Sequence, residues 1–163
     1  MTRSIANSSR AVNSKSRLLP LPDHVLEVRP STIASAGEGL FTTIDIPAGV
    51  RVLEYTGVWK AAVADCVSHN AHEYCFEFNL RHCIDASCKR RGGKGRYVND
   101  THGTKRKLNL IWTKSRRLRK VFMTSSRKIK RGSELFVNYG VDYWDARTGV
   151  PLRRKKLHPP ASR

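Results

Sequence analysis

The residues best suited to chemistry lie in four short segments of the chain. These are GEGLF at 37–41, EYTG at 54–57, RYVND at 96–100 and ELFVNYG at 134–140. Each segment is weak evidence by itself, because a G-x-G pattern without a following helix says little about a ligand. A tyrosine at the end of a strand, such as Tyr139, usually packs against the core. Packing and contact with a substrate therefore both stay open for Tyr139.

The four cysteines offer a second kind of chemistry, but their spacing argues against it. Cys66, Cys75, Cys83 and Cys88 form no C-x-x-C pair, and their intervals match no common zinc-ligand pattern. We therefore predict free thiols in a reducing compartment and no bound metal.

Taken together, the four segments resemble the SET-domain protein lysine methyltransferases. Their order and spacing match, with CIDA at 83–86 between the second and third segments, and the resemblance extends over residues 24–145. It implies a mainly β fold of short strands in several small sheets, with a C-terminal pseudoknot and one short helix. It also implies S-adenosylmethionine as the cofactor, bound on one face, with the substrate lysine entering a narrow channel from the opposite face.

The resemblance implies roles for individual residues. Tyr139 and Tyr74 are the implied catalytic residues, and Tyr74, Phe76 and Val137 are the implied substrate-binding residues. The residues implied to hold the cofactor are Gly37, Glu38, Gly39, Arg96, Asn99, Asp100, Tyr139 and Trp144.

Several of these residues also have a structural interpretation. Tyr74 alternates with Phe76 and Phe78 and would suit a stripe facing the core. Asn99 would suit a turn and the glycines an ordinary hairpin, while Trp144 would suit a cover for the edge of the core.

Methyl transfer to lysine needs a neutral amine. Since a free lysine has a pKa near ~10.4, exposing its lone pair at neutral pH costs roughly 4–5 kcal/mol. An apolar aromatic channel lowers that cost because it disfavours the ammonium form. Tyr74 and Tyr139 suit such a channel, each being apolar with one polar tip.

The chain departs from the family pattern in two places. Asp100 stands where the family has histidine, and a buried carboxylate is costly unless it is paired. We expect Arg96 or a lysine of 105–107 to pair with it, or His102 to substitute locally. No cysteine follows Cys88, so the family's C-terminal zinc motif is absent. The channel must then be capped by VDYWDARTG, by a homodimer partner or by the substrate complex.

The elements that must position these residues are short. Strands are predicted from alternating and β-branched patterns at 24–30, 50–55, 73–79, 81–86, 108–115, 118–126 and 134–139. The best helix candidate is 60–70, a loop is predicted at 34–41, and 87–107 is predicted to be irregular. IPAGVRVLEYTG at 46–57 and IKRGSELFVNYG at 129–140 also share an isoleucine, a glycine and a strand ending in glycine, which indicates two similar turn-and-strand units.

The charge is strongly positive and unevenly distributed. The net charge is +18, and residues 89–131 carry seventeen lysines and arginines against one acid, whereas residues 23–88 carry nine acids and four bases. This indicates an acidic-leaning substrate side, where Glu73 and Glu77 flank Tyr74, and a basic side for phosphate. The predicted nucleic-acid contacts are Lys105, Arg106, Lys107, Arg116 and Arg117. A solvated face, an RNA partner or an acidic protein partner are the alternatives.

We predict three regions: a basic disordered tail at 1–22, the SET domain at 23–145 and a basic tail at 146–163. The first tail also has the composition of an organelle transit peptide. RRKK at 153–156 indicates a nuclear location; an organelle, or a host nucleus or cytoplasm for a viral or bacterial protein, are the alternatives. No apolar run approaches the ~18 residues of a membrane span, so no membrane partner is expected.

The predicted function is S-adenosylmethionine-dependent methylation of lysine in a histone or another chromatin-associated basic protein, with nucleosomal DNA as a further partner. Two alternatives stay open. One is a catalytically weak SET fold acting as a basic nucleic-acid-binding module. The other is a methyltransferase for a non-histone protein such as a ribosomal protein.

Overall fold

Short strands in small antiparallel sheets dominate the structure, a computed structural model that describes residues 19–61 and 74–148. Within these residues there are three sheets, ordered β1-β2, β3-β8-β7 and β4-β6-β5. The strands are β1 Leu26–Pro30, β2 Glu38–Thr42, β3 Arg51–Glu54, β4 Val58–Ala61, β5 Cys75–Asn79, β6 His82–Asp85, β7 Leu110–Ser115 and β8 Lys120–Ser125.

Two short helices accompany the strands in the described residues: α1 Lys89–Gly92 and α2 Val141–Thr148. Single 3₁₀ turns lie at Asp23–Val25 and Lys94–Tyr97. No helix in the described ranges is long and apolar enough to cross a membrane.

The central strand of each three-stranded sheet is the most buried, because it is covered by a strand on each side. In β8, KVFMTS buries Val121, Phe122 and Met123, and in β6, HCID buries Cys83, Ile84 and Asp85. The buried Asp85 carboxylate pairs with Lys60 Nζ at 2.6 Å across the β4–β6 ladder. One hydrophobic core, which includes Leu40, joins all three sheets.

The segment at 134–137 crosses between two other parts of the chain. Leu135 N donates to Leu40 O at 2.8 Å on one side, and Val137 N donates to Asn99 O at 3.0 Å on the other. Phe136 also forms a parallel bridge with Asn99. The segment is therefore held between β2 and the loop that follows the second 3₁₀ turn, which is the crossing that the predicted pseudoknot requires.

The two similar turn-and-strand units meet in space. Ile46 and Ile129 form an antiparallel bridge through two hydrogen bonds of 2.8 Å. Gly49 and Gly132 follow them with φ of +77° and +79°, a backbone region that favours glycine. The echo in the sequence therefore marks two turns of the same shape that pair through their isoleucines.

The predicted mainly β fold is confirmed, and six of the predicted strands contain β1, β3, β5, β6, β7 and β8. The strand predicted at 134–139 is wrong, because this segment makes only isolated bridges at Glu134 and Phe136. The loop predicted at 34–41 is also wrong in its second half, where Glu38–Thr42 pairs along β1. Cross-strand pairing, which local pattern does not contain, decided both cases.

The helix predictions are corrected in position and number. Of the predicted helix at 60–70, Lys60 and Ala61 belong to β4, and the remainder lies outside the described residues. The described residues instead hold two short helices, α1 within the region predicted to be irregular and α2 at the C-terminal end.

The prediction of free thiols is wrong for Cys83, which is disulfide-bonded. Cys75 and Cys88 are free, as predicted, and Cys66 lies outside the described residues. Sequence spacing argued only against zinc, and it cannot show which distant thiols meet. Burial raises the pKa of the Cys75 thiol to about 11, so this thiol stays protonated at neutral pH.

Both predicted boundaries of the domain, at 23 and 145, fall within the described residues. Leu21 N donates to Val52 O at 3.1 Å, and α2 extends to Thr148. The rest of the two predicted tails, at 1–18 and 149–163, lies outside the described residues.

Candidate active site

Tyr139 leaves the crossing segment half-buried, with both its main chain and its side chain held. Its hydroxyl donates to Val98 O at 2.6 Å, and its backbone N–H donates to Asp100 Oδ2 at 2.6 Å. Burial raises the pKa of the Tyr139 phenol well above its usual value of 10. The side chain is therefore a neutral phenol in a defined orientation, with its hydroxyl proton committed to a carbonyl.

Asp100 is satisfied in a different way from the one predicted. Its carboxylate accepts from Tyr139 N and, at 3.1 Å, from Trp144 Nε1, and it also accepts from the backbone N–H of His102 at 2.9 Å. Among the described residues no lysine or arginine forms an ion pair with Asp100, so the predicted pairing with Arg96 or a lysine of 105–107 is wrong. Backbone and indole donors replace the cation, because the crossing brings them to the carboxylate.

Aromatic rings cover Tyr139 from α2. Tyr143 meets its ring edge-on at 4.7 Å, and Trp144 lies parallel to it at 6.3 Å. The imidazole of His102 stacks on Trp144 at 4.4 Å. Tyr139 and Trp144 are thus brought together as the sequence predicted, and His102, predicted as a local substitute for a histidine at 100, lies against the indole.

Tyr74 is held by Arg96. The Arg96 guanidinium lies 4.2 Å from the centre of the Tyr74 ring and donates to Ala86 O at 3.0 Å and Ser87 O at 2.6 Å. Tyr74 O in turn accepts from Tyr55 Oη at 2.7 Å. Arg96, predicted to hold the cofactor, is committed in this structure to positioning Tyr74 and the end of β6.

A cluster of three aromatic rings lies beside Tyr74 and Tyr139. Phe76 packs on Trp112 at 4.5 Å, and Tyr55 meets Trp112 edge-on at 5.4 Å. Trp112 Nε1 donates to Asn138 O at 2.7 Å, one residue before Tyr139. Sequence reasoning missed Tyr55 and Trp112 as site residues. Tyr55 was visible inside EYTG, whereas nothing in β7 distinguished Trp112 from a strand residue that packs the sheet.

The buried carboxylate of Glu134 is the centre of a second group of hydrogen bonds, and sequence reasoning missed this residue as well. Its carboxylate accepts from Ser31 Oγ at 2.6 Å, Thr32 N at 2.7 Å and the Thr32 hydroxyl, and from Asn99 Nδ2 at 3.2 Å. Burial works to raise the pKa of Glu134, but the hydrogen bonds from Ser31 and Thr32 outweigh it and hold the pKa below its usual range. Glu134 is therefore an ionised anchor for the start of the crossing segment.

The G-x-G segment serves this anchor. A Cβ built at Gly39 would lie 2.3 Å from Glu134 Oε1, so only glycine allows the carboxylate to approach. Asn99 Nδ2 also donates to Glu38 O at 3.0 Å. Gly37, with φ +70°, and the Glu38 side chain are exposed. Three residues of this segment were predicted to hold the cofactor. Gly39 packs against Glu134, whereas Gly37 and Glu38 face solvent.

Val137 is fully buried and donates its N–H to Asn99 O. It lies two residues before Tyr139 and has no exposed surface, so its predicted contact with the substrate stays a prediction. Glu77, predicted to give the channel mouth its negative charge, is exposed, and Glu73 lies outside the described residues.

The predicted nucleic-acid residues are exposed but fall in two separate segments. Lys105, Arg106 and Lys107 follow the Asp100 loop, and Arg116 and Arg117 form the tip of the β7–β8 hairpin. Arg106 also donates to Thr32 O, beside the Glu134 anchor. Arg106 therefore contributes to the fold as well as to the surface charge.

The fold is small and mainly β. Its segment 134–137 crosses between β2 and the loop at Asn99, and Tyr139 follows that segment. The SET-domain family matches residues 37–140, and the chain belongs to this family. Histone-lysine N-methyltransferase 2D of Homo sapiens is 29% identical over 121 residues, which cover 71% of this chain and 2% of that protein. The same enzyme of Mus musculus matches with the same identity and coverage.

Proposed function

We propose that this protein is an S-adenosylmethionine-dependent protein lysine N-methyltransferase with Tyr139 at the transfer centre. The observation that carries the proposal is the restraint on Tyr139. Its phenol is neutral, its hydroxyl is bound to Val98 O, and its backbone is bound to Asp100. The sequence family and the relatives named above support the same class of enzyme.

The residues at the site suit S-adenosylmethionine. The rings of Tyr139 and Trp144 offer π faces to a sulfonium cation, and both are partly exposed. The exposed Gly37–Glu38 turn and Asn99 lie on the neighbouring strand and loop, joined by the bond from Asn99 to Glu38 O. We assign cofactor contact to Gly37, Glu38, Asn99, Tyr139 and Trp144, and positioning to Gly39, Arg96 and Asp100. When bound, the cofactor supplies the methyl group.

The chain's own residues prepare the lysine. Tyr74, Phe76 and Tyr139, backed by Tyr55 and Trp112, form an aromatic environment that disfavours the ammonium form of a lysine inserted between them. Deprotonation therefore becomes less costly without a carboxylate or imidazole base at the centre. Because each ring is held by a hydrogen bond or a ring contact, little reorganisation is needed when the substrate enters.

We propose a histone or another chromatin-associated basic protein as the substrate, in the nucleus. The relatives are histone-lysine methyltransferases by name, and Glu77 is exposed on the strand that begins after Tyr74. Long-range repulsion between a basic substrate and a chain of net charge +18 is reduced by screening at physiological salt.

Methyl transfer from labelled cofactor to nucleosomes and to free histones tests the proposal, with the product mapped by mass spectrometry. Tyr139→Phe is expected to lower turnover by roughly a hundredfold, because the ring loses the bond that orients it, while cofactor affinity stays near that of the wild type. Tyr97→Phe is the matched control, since it removes a tyrosine hydroxyl that does not contact Tyr139 and keeps the ring that packs against the core and Arg96. Equal turnover of the Tyr139→Phe variant and the control would exclude Tyr139 as the transfer residue.

We further propose that exposed cations contact nucleosomal DNA. Lys105 and Lys107 test this better than Arg106, which is bound to Thr32 O. Replacing both lysines with glutamine is expected to weaken nucleosome binding and to reduce the salt slope by about two, one for each phosphate contact. Replacing Arg116 and Arg117 tests the hairpin tip separately. An unchanged slope in both variants would remove DNA contact from the proposal.

A further inference from the structure

A second cleft adjoins the candidate active site, since Lys114, which lines it, lies 5.0 Å from the centre of the Phe76 ring. It has a volume of about 620 Å³ and opens between the β4-β6-β5 sheet and the β7–β8 hairpin. None of its lining residues belongs to the site built around Tyr139. Its lining combines exposed aromatic surface with arginine and lysine side chains, a combination that the proposed methyl transfer does not use.

The sheet side of the cleft is aromatic. Trp59 on β4 is 36% exposed, and it meets the Phe78 ring at 5.0 Å and the His82 ring at 6.2 Å. The ladder register pairs Trp59 with Ile84, and the β5–β6 ladder shifts next to Phe78. This irregularity lies where the Phe78 ring comes against Trp59. Trp59 and Phe78 thus give the cleft an aromatic wall that is partly open to solvent.

The hairpin side of the cleft is cationic. Lys114, Arg116 and Arg119 line it, and no acidic residue is among its lining residues in the described chain. The Arg119 guanidinium lies 5.1 Å from the centre of the Trp59 ring. The indole face therefore already packs against a flat cationic group, and another flat group reaches that face when the exposed Arg119 side chain turns away.

Arg119 adopts a backbone conformation that is unusual for arginine. Its φ is +50° in the hairpin turn, a region that glycine or asparagine fills at lower cost. Strained positions of this kind persist where the side chain has a task. Here the strained residue is the one that carries its cation over the tryptophan.

We propose that this cleft binds single-stranded nucleic acid. An unpaired base stacks against Trp59 and Phe78 as the exposed Arg119 side chain turns from the indole toward the neighbouring phosphate. Arg116 contacts the same strand, whereas Lys114 is bound to Glu77 O and Phe78 O and adds only its positive charge to the cleft. Stacking on an aromatic ring is tolerant of sequence because every base has a π face. A duplex, whose bases are already stacked, offers only its phosphates to this cleft.

The charge distribution favours a nucleic acid over an acidic peptide. The segment 89–131, which includes the hairpin, carries seventeen bases and one acid, and such a strip draws in a polyanion over a long range. An acidic peptide would use the cations but would leave the exposed indole uncovered. The proposal needs no methyl transfer, and Arg116 is the one cleft residue that it shares with the proposed contact to nucleosomal DNA.

The test is fluorescence anisotropy with the full chain and two labelled probes at fixed salt, a single-stranded oligouridylate and a DNA duplex of equal length. Trp59→Ala is expected to weaken binding of the single strand roughly tenfold and to change duplex binding little. Trp59→Phe, which keeps a stacking ring, is expected to restore most of the loss. Replacing Lys105 and Lys107 with glutamine is the control, because lost phosphate contacts weaken both probes alike.

A second variant, Arg116→Gln with Arg119→Gln, leaves the aromatic side intact and is expected to lower single-strand affinity with a smaller salt slope. Equal affinity of the wild type and Trp59→Ala for oligouridylate would overturn the proposal. So would equal losses for both probes, or competition by polyglutamate as effective as that by unlabelled oligouridylate. Cofactor binding by each variant, measured by calorimetry, reports separately on the site around Tyr139.

Discussion

Glu134 and Asp100 anchor opposite ends of the segment that carries Tyr139, and only one of them belongs to that segment. Glu134 belongs to the crossing segment and accepts from the Ser31–Thr32 loop and from Asn99. Asp100 belongs to the enclosing loop and accepts from Tyr139 N and the Trp144 indole. One carboxylate thus fixes where the segment enters the crossing, and the other fixes how it leaves.

The two anchors differ in burial and in what they hold. Glu134 is only 5% exposed and binds Ser31, Thr32 and Asn99 but no atom of the tyrosine. Asp100 is partly exposed and binds the backbone of Tyr139 itself. The difference indicates that Glu134 contributes mainly to the stability of the crossing, whereas Asp100 contributes mainly to the orientation of Tyr139. It also explains how a carboxylate is tolerated at position 100, where the family has histidine.

The largest expected effect is on stability at the buried anchor. Glu134→Ala leaves the donors of Ser31, Thr32 and Asn99 without their acceptor and is expected to cost about 3 kcal/mol, or roughly 10 °C in Tm. Thermal and denaturant unfolding measure this loss. Glu27→Ala, at an exposed position of β1, is the control. A Glu134→Ala variant as stable as the control would show that Glu134 does not stabilise the start of the crossing segment.

Gly39→Ala tests the same anchor from the opposite strand. The added Cβ would lie 2.3 Å from Glu134 Oε1, so the carboxylate must move, at an expected cost of about 2 kcal/mol. Because both substitutions act on one contact, the double variant is expected to be clearly less destabilised than the sum of the two. Additive losses in a double-mutant cycle would show that Gly39 acts independently of Glu134.

Asp100→Ala tests the exit anchor, and its largest expected effect is on turnover. Loss of the acceptor for Tyr139 N and Trp144 Nε1 is expected to lower kcat roughly tenfold, while the free energy of unfolding falls by about 1 kcal/mol. Asp100→Asn, which keeps one oxygen acceptor, is expected to recover part of the rate. If Asp100→Ala lost more stability than Glu134→Ala and kept its turnover, the roles assigned to the two anchors would be reversed.

The smallest expected effect is in the pH dependence of stability. The folded-state pKa of Glu134 lies below its usual value of 4.5, so its contribution is fully present above about pH 5 and is lost as the pH falls through the folded pKa. Glu134→Gln is therefore expected to flatten the acid side of a plot of unfolding free energy against pH. Parallel acid limbs for this variant and the wild type would contradict the depressed pKa.

Much of the fold could be predicted from local pattern. Alternating and β-branched segments located six strands to within a few residues, since side-chain alternation follows directly from strand geometry. The order of GEGLF, EYTG, RYVND and ELFVNYG indicated the family, and the family match at 37–140 confirms it. β4 was missed because its residues VWKA precede an apolar run that also suits a helix.

The candidate site was predicted by residue type but not by partner. Tyr139 and Trp144 lie against each other, and Tyr74 lies under the Arg96 guanidinium, while the roles that the resemblance implied for them stay predictions. The partners of Asp100 and Arg96 were not predictable from local pattern, because the Trp144 indole, Tyr139 N and the carbonyls of Ala86 and Ser87 belong to other parts of the chain. Glu134, Tyr55 and Trp112 each resembled an ordinary strand residue until their contacts across the sheets were known.

The sequence by itself determined a strongly basic strip, several short segments with strand patterns, and tyrosines in the order typical of the SET-domain family. These properties are local, and they survive in the unfolded chain. Only the tertiary structure decided that Glu134 and Asp100 anchor the two ends of the segment that carries Tyr139. It also decided that Cys83 is disulfide-bonded and that Arg119 lies over Trp59. Each of these depends on residues far apart in the chain meeting at hydrogen-bond or ring-contact distance, and no local pattern contains that distance.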